Sequence, residues 1–117
     1  MMIRKLFLAL SLLFLLAQCR QPQWVNFAEM IQNPNTVIVD VRTVEEFEEG
    51  HIPQSINIPL TEITAAAERL ERYDSVILIC RSGNRSGQAK TILEEIGLTN
   101  VYNGGGWEAF QREYLDF

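Results

Sequence analysis

The sequence predicts an α/β fold, a single domain whose central parallel β-sheet is covered by helices on both faces. Three observations lead there. Two runs, TVIVDV and SVILIC, are almost continuously apolar and rich in β-branched residues, the pattern of strands buried on both faces. Segments of helical period lie between and around these runs, so successive strands are joined by crossovers and must run parallel. At 117 residues, 47% hydrophobic and 21% charged, the chain suits one compact domain and not a disordered or fibrous polymer.

The elements follow in order. Arg4 and Lys5 precede an apolar stretch over residues 6–17 that only Ser11 interrupts. It is short for a bilayer span and has no polar face, so residues 1–18 read as a secretory signal peptide. Its end, Leu16-Ala17-Gln18-Cys19, resembles the bacterial lipobox, with Gln18 standing where small residues are usual. That resemblance implies cleavage before Cys19, lipid on Cys19, and an exported protein anchored to a bacterial membrane in the periplasm or cell envelope. Ordinary cleavage nearby is the alternative. Removing residues 1–18 takes Arg4 and Lys5 from the 10 basic residues and leaves 8 against 15 acidic ones, a formal net charge of −7. Such a charge argues against nucleic acid and anionic lipid surfaces as partners, and any anionic ligand must be captured locally.

Residues 19–23 are a short polar linker, and the domain occupies residues 24–117. VNFAEMIQ reads as a short helix, TVIVDV as a buried strand, and EEFEEG as one or two helical turns ended by Gly50. SINIP is a short extended piece stopped by Pro59. TEITAAAERLERY is a helix with Ile63, Ala66, Ala67 and Leu70 on its inner face. SVILIC is the second buried strand, SGQAKTILEEIG a helix with Ala89, Ile92, Leu93 and Ile96 inward, and NVY a last short strand.

This layout puts Cys80 at the carboxyl end of a central strand, where open α/β sheets place their ligand sites. The loop over residues 81–85 leads into a helix with Ser86 as its expected N-cap. Loop amides, the helix N-terminus, Arg81 and Arg85 would favour the thiolate, making Cys80 an activated nucleophile in an anion cradle. The chain has only two cysteines, so a Cys19–Cys80 disulfide or a Cys80 that merely fills the core are the bland readings. The charged neighbours of Cys80 speak against the second.

The loop Cys80-Arg81-Ser82-Gly83-Asn84-Arg85-Ser86 resembles the active-site loop of the rhodanese family of sulfurtransferases. Val39-Asp40-Val41-Arg42, Glu46-Phe47 and Gly50-His51-Ile52-Pro53 resemble its upstream signature, and residues 103–106 its closing glycine turn. The similarity runs from about residue 25 to 114, and the single-domain, exported thiosulfate sulfurtransferases look nearest. Gln54-Ser55 and Phe110 depart from the common pattern, outside the loop. The resemblance implies that Cys80 takes sulfane sulfur from thiosulfate, holds it as a persulfide, and passes it to a thiophilic acceptor such as cyanide or a thiol. Arg81, Ser82, Gly83, Asn84, Arg85 and Ser86 would bind the anionic donor. No cofactor is implied, and the chain is expected to be a monomer.

Other motifs read as scaffold. His51 is expected to make a structural hydrogen bond, Asp40 and Arg42 to pair or hold loops at a strand end, and Gly104, Gly105 and Gly106 to allow close packing beside the loop. Neither the one histidine nor the two cysteines sit at a zinc spacing, so no metal is expected. A cysteine phosphatase or arsenate reductase is the runner-up enzyme; those need five residues between cysteine and arginine, and here four separate Cys80 from Arg85. A persulfide carrier or redox-sensing module is the non-enzymatic alternative.

Overall fold

The computed structural model describes residues 24–116. The expected signal peptide, linker and Cys19 lipid site fall outside the described residues. Four strands, β1 (Thr36–Asp40), β2 (Ile56–Asn57), β3 (Ser75–Cys80) and β4 (Val101–Gly106), form one sheet in the order β2-β1-β3-β4, and every neighbouring pair is parallel. The expected parallel α/β sheet is therefore the observed one.

Side-chain alternation along the two central strands builds a core on each face. Val37, Val39 and Val41 join Val76, Leu78 and Cys80 on one side. There they meet helix α3 (Ile63–Leu70), which follows a 3-10 turn (Leu60–Glu62), and helix α4 (Asn84–Ile96). Ile38, Ile77 and Ile79 point the other way, onto helices α1 (Phe27–Met30) and α5 (Trp107–Tyr114). Each fully buried aliphatic side chain is worth about 1.5–3 kcal/mol, so β1 and β3, buried beyond their first residues, hold the sheet together. The residue that ends β3, Cys80, is thereby fixed on a rigid support.

Helix α2 (Val44–Glu49) is short, and its caps explain how it forms. Thr43 Oγ1 accepts from the Glu46 amide at 3.2 Å while Glu46 Oε1 accepts from the Thr43 amide at 3.3 Å, a reciprocal capping box readable in Thr-Val-Glu-Glu. Gly50 ends it as expected.

Three expectations change. Ile96, expected inward, is 49% exposed; Ala89 and Leu93 are buried, and Ile92 packs partly against the core. The last strand extends through the glycines to Gly106, with a bulge opposite Leu78 and Ile79, so the expected glycine turn is strand. Helix α5 was not anticipated. Its signal is Trp107, Phe110 and Tyr114 at helical spacing, masked by the glycines before it, and its rings pack against the core with Phe110 edge-on to Phe27 at 5.4 Å and tilted against Tyr114 at 4.9 Å.

Candidate active site

Cys80 is 1% exposed, and its sulfur lies inside the turn that joins β3 to α4. The chain reverses there because Gly83 adopts φ +98°, a left-handed conformation that L side chains rarely take, and a Cβ on it would stand 3.3 Å from the Gly105 Cα. Gly83 is the N-cap of α4. Ser86, expected at that position, is instead inside the helix, 0% exposed, with its side chain turned to the thiol.

Two polar groups converge on the sulfur. The Gly83 N–H donates to Cys80 Sγ at 3.0 Å, and the Ser86 hydroxyl lies 3.3 Å from it. Burial pushes the thiol up. The Ser86 hydroxyl and the amides of Ser86, Ser82 and Gly83 more than reverse this, so the thiol sits below its ordinary value. Sulfur anion is thus favoured by oriented dipoles inside the turn.

The loop also leans on β4. A Cβ on Gly106 would stand 2.8 Å from the Arg81 carbonyl oxygen, so this strand approaches the start of the loop as only glycine permits. Asn103 bridges the two segments: its Nδ2 donates to the Gly83 carbonyl at 3.1 Å, and its Oδ1 accepts from the Ser86 hydroxyl at 2.7 Å. Sequence reading placed Asn103 only at the edge of a glycine motif. The bulge in β4 decides its direction, and no local pattern reports that.

The arginines separate. Arg85 is held by Glu46 in a bidentate pair, Nη1 to Oε1 at 2.6 Å and Nη2 to Oε2 at 2.9 Å, each partner about three-tenths exposed. The Arg85 hydrogen bonds are the main reason the Glu46 carboxyl is lowered to about 2. Arg85 in turn is raised, chiefly by Glu46 and further by Cys80 and Asp40, and stays charged. Arg81 is exposed and lines a cleft of about 310 Å³ with Arg42, Glu46, Glu49, Gly50, Trp107 and Glu108. Ser82 and Asn84 are exposed, and Asn84 Oδ1 accepts from Gln88 Nε2 at 3.4 Å.

Behind the loop, Asp40 and Arg42 pair as expected and are buried. Arg42 gives Asp40 three side-chain hydrogen bonds of 2.7–3.0 Å and donates to the carbonyls of Gly50 at 2.7 Å and Glu46 at 3.3 Å, with its guanidinium 4.8 Å from the Trp107 ring centre. It clamps the end of α2, and α2 carries Glu46 to Arg85. His51 Nδ1 lies 2.7 Å from the Phe47 carbonyl and its ring stacks on Phe47, a scaffold role.

Comparison with known proteins agrees with this geometry. The rhodanese-like domain family matches residues 24–113. Thiosulfate sulfurtransferase PspE of Escherichia coli (strain K12) is 36% identical over 107 residues, which cover 90% of this chain and 89% of that protein. A rhodanese from E. coli, solved with anions, is 40% identical with a TM-score of 0.56, over 62% of this chain and 88% of its own. A rhodanese-related protein from Thermoplasma volcanium is 34% identical with a TM-score of 0.62, over 79% of this chain and 93% of its own.

Proposed function

The chain belongs to the rhodanese-like family, and on that premise we propose that it is a thiosulfate sulfurtransferase working through a Cys80 persulfide. The observation that carries this is the sulfur held 3.0 Å from the Gly83 N–H and 3.3 Å from the Ser86 hydroxyl, with burial opposed by oriented donors. The Cys80 thiolate attacks the outer sulfur of thiosulfate. The S–S bond of the donor breaks, sulfite leaves with its electron pair, and the new Sγ–S bond leaves a negative charge on the terminal sulfur. Cyanide or a thiolate then attacks that sulfur, and the Cys80 thiolate is regenerated. Amides and helix terminus offset the anionic charge at each stage.

Steady-state assay of the purified domain with thiosulfate and cyanide, beside an aryl phosphate, tests the reading. Thiocyanate formation well above any phosphate release is the expected result, and comparable or greater phosphatase activity would overturn it.

Arg85 is the donor-binding residue on this reading, although it must exchange Glu46 for the dianion. A hydrogen bond to a charged group contributes about 1.5–3 kcal/mol, and the exchange puts the net effect at the lower end. Arg85→Ala should therefore lower kcat/KM for thiosulfate by about tenfold, mainly through KM, with the difference shrinking as salt rises. Unchanged efficiency at low salt would make Arg85 a brace for α2.

The same pairing favours a second reading. With Arg85 engaged by a carboxylate, the sulfur donor could be a partner protein's persulfide instead of a free dianion, and the domain would then be a carrier. Loading of Cys80 from a persulfide, without thiosulfate turnover, distinguishes it.

Export and anchoring are part of the proposal, supported by the basic flank, the apolar stretch over residues 6–17, and Cys19. Mass spectrometry of the protein from its bacterial envelope should find an N-terminal, lipid-modified Cys19; an unmodified N-terminus elsewhere would remove the anchor.

A further inference from the structure

Asn103 stands opposite Leu78 in the sheet, immediately before the bulge, and its amide orientation is fixed by two backbone partners. The Gly105 N–H donates to Oδ1 at 2.9 Å, and Nδ2 donates to the Gly83 carbonyl at 3.1 Å. The atom facing Ser86 is therefore the amide oxygen, an acceptor only. Ser86 has one hydroxyl proton and two places to put it: Asn103 Oδ1 at 2.7 Å, or Cys80 Sγ at 3.3 Å.

We propose that Asn103 competes with Cys80 for the Ser86 hydroxyl proton and so poises the nucleophile, making Asn103 a positioning residue that acts through Ser86. While Cys80 holds its proton, the thiol donates to Ser86 Oγ and Ser86 donates to Asn103. When the thiol ionises, the hydroxyl turns to the sulfur anion, and Asn103 Oδ1 keeps its Gly105 partner. When the sulfur carries a second sulfur, the negative charge moves to the outer atom and the hydroxyl returns to Asn103. The turn of one hydroxyl thus follows the sulfur load. Because the free thiolate must win the proton from an amide oxygen, it is kept more basic, and hence more nucleophilic, than the cradle alone would leave it.

The charged groups around the sulfur are Arg85 with its partner Glu46, the buried Asp40–Arg42 pair, and Arg81 on the loop, and the test alters none of them. The rate of Cys80 alkylation by iodoacetamide is measured against pH in the wild type, Asn103→Leu, Ser86→Ala and the double variant. The rate rises with pH through the thiol's apparent pKa, because only the thiolate reacts. Hydrogen bonds to ionised acceptors are roughly twice as strong as neutral ones, so freeing the hydroxyl should lower the apparent pKa by about one unit and give about fivefold more thiolate at a pH one unit below the wild-type value. In the Ser86→Ala background, Asn103→Leu should show only what loosening Gly83 does. The difference between the two backgrounds isolates the competition, and it should favour the thiolate in the chain that keeps Ser86. No difference, or one of opposite sign, overturns the proposal. Position 103 is exposed, so leucine is tolerable there, and Asn103→Ala replaces it where solubility fails. The inference rests on Cys80 as the nucleophile, but alkylation reports ionisation alone: failed sulfur transfer would leave the competition standing, and absent competition would leave sulfur transfer standing.

Discussion

Cys80→Ser is expected to reduce sulfur transfer to the uncatalysed background while the domain still folds. Serine is close in shape, and its hydroxyl can keep partners at the Gly83 N–H and the Ser86 hydroxyl, now 3.0 and 3.3 Å from the sulfur. A buried polar group that keeps its hydrogen bonds costs little, so the stability loss should stay near 1 kcal/mol. What is lost is the chemistry: an alkoxide is not available near neutral pH, and oxygen cannot form the persulfide. Incubation with thiosulfate followed by intact mass should show one added sulfur on the wild type and none on the variant. Substantial thiocyanate production by Cys80→Ser would remove Cys80 from the mechanism.

The second large effect is on stability. Arg42→Met should destabilise the domain by about 3–5 kcal/mol, because it leaves the Asp40 carboxylate buried and unpaired. Against a total stability of about 5–15 kcal/mol for a domain, such a loss is a fifth or more. Chemical denaturation by urea, read as a fall in midpoint at constant slope, measures it. Replacing both partners, Asp40→Leu with Arg42→Met, should recover only part of the loss, since the Gly50 and Glu46 carbonyls also lose their donor. A single-variant loss below 1 kcal/mol would mean that the pair is not what anchors α2. Because α2 carries Glu46, the loosened variant should also hold Arg85 less firmly and bind the anionic donor with altered KM.

The Asp40–Arg42 pair also illustrates how much of the site was legible beforehand. The two residues are neighbours in sequence at the end of an apolar strand, so a local argument finds them. The same is true of Cys80, which ends SVILIC, and of Gly83, whose loop must reverse the chain within a few residues. Arg85 differs. Any of the 15 acidic residues is a candidate partner for it, and nothing in the order of residues picks Glu46, 39 positions earlier.

By itself the sequence determined the elements whose signals are local: two strands from continuous β-branched runs, inner faces of helices from 3.6-residue spacing, and a thiol at a strand's carboxyl end. Only the tertiary structure decided which distant side chains meet at that thiol. Parallel register sets Cys80 beside Gly106 and brings β4 against the loop, and one extra residue in β4, at the bulge, marks where Asn103 reaches Gly83 and Ser86. Capping and packing of α2 set Glu46 beside Arg85. Register and packing arise from burying both faces of the sheet at once, an energy shared over the whole core and therefore invisible in any single stretch of residues.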